Sequence, residues 1–191
     1  LLFDKRIYYY KNNFDNTPKE ACNDSRLDSY DKIYQLACNH YWNFGSPKDF
    51  FVVNSNITKQ VDEVSKLFNA STVGIHIRRT DNIDSIINSP TDLYIQAMRD
   101  EINKNEKVNF YLASDSLEEK SNLIHLFGDK IFTVNFDTKR NHRIGIINAF
   151  IEMLILARTS RIYASYSTFS WMASKFGNKP LIVLDKRMQK R

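Results

Sequence analysis

The segment His76-Ile77-Arg78-Arg79-Thr80-Asp81 gathers more potential chemistry than any other stretch of this chain. It includes the end of the apolar run VGIHI at 73–77. If that run is a strand, alternation puts His76 and Arg78 on one face and Ile77 and Arg79 on the other. A guanidinium held at a strand end can grip a phosphate through two parallel hydrogen bonds. It keeps its proton, so it suits a group that must carry growing negative charge. The structural alternative is a salt bridge from Arg78 or Arg79 to Asp81.

A second cluster is Ser165-Tyr166-Ser167-Thr168-Phe169-Ser170, which opens a helical pattern. Hydroxyls and unpaired backbone N–H groups at a helix start form an anion site. Ordinary N-capping by Ser167 or Thr168 explains the same residues. Asp115 follows another apolar run, VNFYLAS at 108–114. Glu152 interrupts a helix that is apolar on nearly every side and is therefore expected to be buried on several faces. A carboxylate there is costly unless paired. It either binds a structural Arg or Tyr or accepts hydrogen bonds from a ligand. Asp84 is either a general base or a surface loop residue. Arg140, His142 and Arg143 form either a phosphate- or ligand-facing loop or, the commoner case, a solvated basic turn. Asp115 and Asp137 form no pair with metal-ligand spacing, and no His/Cys cluster accompanies them, so no metal is expected.

These residues need a frame. From residue 57 onward, helical and strand patterns alternate. Helices are expected over 58–69, from 90 to 104, from 117 to a stop near Gly128, over 143–159 and over 168–176. Strands are expected at 73–77, 108–114, 130–134, 161–165 and 180–184. Ser89 is the expected N-cap of the second helix, with Pro90 as its first residue. Ser116 with Glu119 marks the start of the third. Short apolar strands separated by helices predict an α/β fold: a Rossmann-like parallel sheet with helices on both faces. Ligands of such sheets bind beyond the carboxyl ends of the strands, where the clusters above fall. No GxGxxG or GxxxxGK[ST] pattern is present. Residues 1–56 lack a clean period apart from a helix expected at 25–41. They read as a mainly helical or irregular segment. Tyr8 and Tyr10 are expected to pack, and His40 has no evident partner.

Composition narrows the partners. The chain has 191 residues, 27 Lys and Arg against 22 Asp and Glu, and a net charge of +5. This mild excess fits an anionic partner such as a nucleotide. No recognition motif for nucleic acid accompanies it, so no nucleic-acid partner is expected. Cys22 and Cys38 match no metal spacing and suit a reducing compartment. No stretch approaches a membrane span, and no signal peptide is read. The chain opens on Leu1, which suggests a piece of a longer protein.

Taken together, VGIHIRRTD, FYLASDS and IEMLILARTSRIYASYSTFSWMAS, in this order and spacing, resemble the nucleotide-binding half of the fucosyltransferase superfamily. That superfamily includes bacterial α1,2-fucosyltransferases, α1,6-fucosyltransferases and protein O-fucosyltransferases. The His-x-Arg-Arg-Thr-Asp form is most similar to the α1,6 type, and Ser-Thr-Phe-Ser-Trp to the α1,2 type. The resemblance covers residues 57–185. It implies a GT-B fold, two Rossmann-like halves with a cleft between them. It implies an inverting transfer of fucose from GDP-fucose to a glycan or oligosaccharide hydroxyl, without metal or other cofactor.

By the same resemblance, Arg78 contacts the β-phosphate and stabilises departing GDP, and His76 lies against the nucleotide. Ser167, Thr168, Phe169 and Ser170 line the phosphate and base pocket. Asp115 and Asp81 lie at the cleft. Glu152 takes the acidic position that recognises guanine or ribose, and Arg79 orients donor or acceptor. Arg78, Arg79 and Asp84 form the expected catalytic set. Residues 57–191 would be the GDP-sugar-binding domain, and 1–56 a remnant of the acceptor-side domain or a cap. A bacterial, cytoplasmic enzyme is expected, peripheral to the inner membrane. The competing expectations are a non-catalytic GDP-sugar-binding module and a transferase that uses GDP-heptose or GDP-mannose.

Overall fold

A computed structural model of the chain describes residues 47–49, 52–137 and 141–188. The helix expected at 25–41, together with Tyr8, Tyr10, Cys22, Cys38, His40 and Arg140, lies outside the described residues. The helices are α1 (Ser55–Ser65), α2 (Ile83–Asn88), α3 (Thr91–Lys104), α4 (Leu117–Phe127), α5 (Arg143–Leu156) and α6 (Thr168–Gly177). The strands are β1 (Val73–Ile77), β2 (Phe110–Ser114), β3 (Ile131–Phe132), β4 (Ile162–Ala164) and β5 (Leu181–Val183). Single 3-10 turns lie at Pro47–Asp49 and Gly128–Lys130.

All the strand pairs are parallel, in the order β3-β2-β1-β4-β5. This is the α/β, Rossmann-like sheet the alternating pattern predicts. Its reason is visible in β1, where all five residues are buried, as a strand covered on both faces requires. Val73, Ile75 and Ile77 face Tyr94 and Met98 of α3 and Leu123 of α4. On the other face, Tyr111, Ala113, Ile162 and Ala164 pack with α1, α5 and α6 through Val61, Ile151, Ile155, Ala173 and Phe176. Burying each large apolar side chain contributes about 1.5–3 kcal/mol.

Two glycines let α5 end against its neighbours. A Cβ on Gly74 would sit 2.7 Å from Thr159 Oγ1, and one on Gly177 would sit 2.1 Å from the Ala157 carbonyl oxygen. Any side chain there would push the end of α5 away from β1 or α6.

Several expectations change. The third strand shrinks from 130–134 to Ile131–Phe132, because Gly128–Lys130 winds into a 3-10 turn first. The expected loop around Asp84 is helix α2, capped by Asn82, whose side chain accepts from Ser85 N at 3.0 Å. Ser89 ends α2 rather than capping α3. Its own N–H bonds Ser85 O, and the cap position of α3 falls to Pro90, which makes no side-chain cap bond. The long helix α5 is buried on several faces, as expected, only in its second half. Ile144 and Ile146 are 66% and 58% exposed, and burial is continuous only from Ile151 to Ala157, where the helix crosses the sheet. His142 lies in an exposed turn, as expected, but has a further use: its Nδ1 accepts from Gly145 N at 3.1 Å and so caps α5.

Candidate functional site

The strand order reverses beside β1. The chain leaves β1 toward β2 and β3 on one side, then crosses back to place β4 on the other. In open parallel sheets ligands bind at such a switch point, beyond the carboxyl ends of the two strands, here β1 and β4. Both sequence clusters lie there. The Ser165 amide donates to the His76 carbonyl at 3.3 Å, and the Ser85 hydroxyl donates to the Tyr166 carbonyl at 3.3 Å. The His76 ring stacks on Phe169 with centroids 4.8 Å apart and planes 26° apart. One side chain from the end of β1 thus touches the first turn of α6.

The start of α6 is built for an anion. Ser167 is the N-cap, and its hydroxyl accepts from Phe169 N at 3.2 Å. Ser170 Oγ donates to Ser167 O at 3.1 Å. The first-turn amides of Thr168 and Ser170 have no carbonyl one turn back to bond. No acidic residue occupies this turn. Helix α4, at the neighbouring strand end, carries Glu118 and Glu119 in its first turn and is closed to anions by charge.

Arg78 leaves β1 on the His76 face. Its guanidinium forks onto Asp81, Nε to Oδ1 at 2.8 Å and Nη2 to Oδ2 at 2.9 Å. The structural salt bridge weighed above is therefore present. Asp81 is about half exposed, and pairs of this kind contribute about 0–1 kcal/mol. The same fork fits two oxygens of a phosphate.

Arg79 points to the opposite face, as alternation requires, and is closely held there. Its Nε reaches Glu119 Oε1 at 2.6 Å, and its Nη2 donates to Ser89 O at 3.0 Å and Thr91 Oγ1 at 3.1 Å. The Arg79 and Glu119 side chains are only 12% and 13% exposed. Asp115 ties down the loop between them. It accepts from Arg79 N at 2.7 Å, Thr80 N at 3.2 Å and Thr80 Oγ1 at 2.7 Å. Burial opposes ionisation of Asp115, but these bonds and the Arg78 charge outweigh it and hold the carboxyl below its usual range.

Glu152 is buried and faces Lys120, not an Arg or Tyr. Lys120 Nζ donates to Glu152 Oε1 at 3.1 Å and to Val134 O at 2.8 Å. Burial pushes the Glu152 carboxyl up, against the pull of the ammonium. Asp84 lies in the first turn of α2, bonded to Asn88 Nδ2 at 2.9 Å and paired with Arg187 at 3.2 Å. The sequence patterns marked Glu119 only as part of a capping signal and gave no notice of Lys120. The usable signal was a charge in register with apolar neighbours: Lys120 lies three residues before buried Leu123 on α4.

His76 gives a test of this packing. Burial, reinforced by Arg78 and opposed by Asp115, pushes its imidazole down to about 4 from an ordinary 6.5. The unfolded chain therefore binds a proton that the fold excludes, and stability falls as pH drops from 6.5 toward 4. The full effect is on the order of 3 kcal/mol at about 1.4 kcal/mol per pH unit. His76→Gln is expected to flatten that part of the urea-stability profile against pH. An unchanged slope would count against a buried neutral His76.

No family model matches the chain, and no curated protein matches it. Solved structures do. A NodZ alpha-1,6-fucosyltransferase soaked with GDP-fucose shares 26% identity, with 64% of this chain and 42% of that one covered and a TM-score of 0.46. The fucosyltransferase NodZ from Bradyrhizobium shares 26% over 62% and 41% of the two chains, TM-score 0.43. POFUT1 in complex with GDP shares 15% over 68% and 46%, TM-score 0.47. This chain is similar to fucosyltransferases. It spans less than half the length of each.

Proposed function

We propose that this chain is the donor-binding half of an inverting glycosyltransferase that uses a GDP-sugar, with GDP-fucose as the donor. One observation carries the reading: at the carboxyl ends of β1 and β4, the contact of His76 with Phe169 joins the Arg78 strand end to the anion-attracting start of α6. An inverting transfer needs this pairing. An acceptor hydroxyl bonds to the anomeric carbon as the bond from that carbon to the β-phosphate oxygen breaks. The bonding electrons leave with GDP. Arg78 meets that charge with a fixed cation, and the α6 amides meet it with aligned dipoles. The sugar passes through oxocarbenium character, as in glycoside hydrolysis. We assign the acceptor's proton to Asp84, whose pair with Arg187 must open for that role.

Choice of guanine and fucose rests on the resemblance of the three motifs. Thermal unfolding with nucleoside diphosphates tests it. GDP at 100-fold excess over its dissociation constant is expected to add about 2.7 kcal/mol of stability. ADP and UDP are expected to add far less. Equal stabilisation by all three would remove the guanine claim, and no stabilisation by any would remove the nucleotide site.

A further inference from the structure

Glu119 and Asp115 stand one helical turn apart at the head of α4, and both hold the loop that carries Arg78. Asp115 takes the backbone N–H groups of Arg79 and Thr80 and the Thr80 hydroxyl. Glu119 takes the Arg79 guanidinium and the Thr91 hydroxyl, the latter at 2.7 Å. Arg79 then reaches back to the carbonyl of Arg78 at 3.1 Å. Residues 78, 79 and 80 are thus each held by a side chain: 79 and 80 by Asp115 through their backbone amides, and 78 by Arg79, which Glu119 anchors on the face opposite His76. The cost of burying Arg79 and Glu119 is large unless such geometry offsets it.

We propose that Glu119 and Asp115 are positioning residues for the phosphate grip of Arg78. They act through Arg79 and Thr80 and do not touch the donor. Arg79 is the strut between them. This inference rests on the proposed GDP-sugar reading and extends it to the residues that hold the loop after β1.

A fork is sensitive to direction, so loosening its base weakens the hydrogen bonds to phosphate without altering the nucleoside pocket. The test is the ratio of GMP to GDP dissociation constants, measured by calorimetry on the chain as it stands. The wild type is expected to favour GDP by about tenfold or more, the share of a charge-assisted phosphate contact. Glu119→Ala is expected to bring that ratio close to one while GMP affinity stays within about twofold. Glu119→Gln, which keeps the acceptor for Arg79 but not the charge, is expected to restore most of the ratio even where it lowers the melting temperature. A merely structural role would weaken GMP and GDP together and track stability across the three proteins. Thr80→Ala, at an exposed site, is expected to lower the ratio about threefold in a folded protein, and it carries the test if Glu119→Ala does not fold. A wild-type ratio that persists in Glu119→Ala, or in Thr80→Ala where that variant carries the test, overturns this inference and leaves the GDP-sugar reading standing. A wild type that binds neither nucleotide overturns both.

Discussion

Arg78→Ala is expected to reduce glycosyl transfer by about 100-fold or more, the usual loss when one fixed donor to developing charge is removed. The fold should survive. Among the described residues Arg78 forms its ion pair with half-exposed Asp81, and such pairs add about 0–1 kcal/mol. Arg78→Lys keeps the charge but loses the fork and is expected to recover only part of the activity. Turnover with GDP-fucose, beside a melting curve for each variant, separates the two effects. Near-normal transfer by Arg78→Ala would end the role assigned to it. A collapsed fold would show that the ion pair with Asp81 matters more than its exposure indicates.

The second large effect concerns stability. Lys120→Met leaves Glu152 buried without its cation, and both side chains are only 5% exposed. Breaking such a pair costs about 3–5 kcal/mol, whereas replacing both partners by apolar groups is often neutral or better. Lys120→Met is therefore expected to lower the urea midpoint sharply, and Lys120→Met with Glu152→Leu to recover most of the loss. The cycle also bears on what Glu152 does. A structural carboxylate shows strong coupling to Lys120 in the free protein. If Lys120→Met costs almost nothing, the carboxylate is free to serve a ligand such as guanine.

Much of the architecture could be read one segment at a time. Strand β1 has the bounds its apolar run predicts, because a strand buried on both faces reads as a near-continuous apolar run, with His76 as the exception. Ser116 caps α4 as expected, and its side chain accepts from Glu119 N. These signals are local, set by residues within a turn of each other. The opposite orientations of Arg78 and Arg79 were legible for the same reason, since alternation is a property of the backbone.

What failed was mostly a competition between neighbouring elements. Ser89 has the right type for a cap, but α2 ends there first. The apolar positions of α5 predict burial, yet Ile144 and Ile146 face solvent, because only the later turns cross the sheet. His142 caps α5 through a ring nitrogen, a use no capping pattern announces.

From the sequence alone come the alternation of helix and strand, the faces of Arg78 and Arg79, and the placement of polar clusters at strand ends. Each depends on backbone periodicity, which any short segment carries within itself. Only the tertiary structure decided that β4 lies beside β1, so that His76 meets Phe169. It alone decided that Arg79 belongs to Glu119 and that Glu152 belongs to Lys120. A buried charge takes whichever opposite charge the packing brings within hydrogen-bonding distance, and those partners lie 40 and 32 residues apart along the chain.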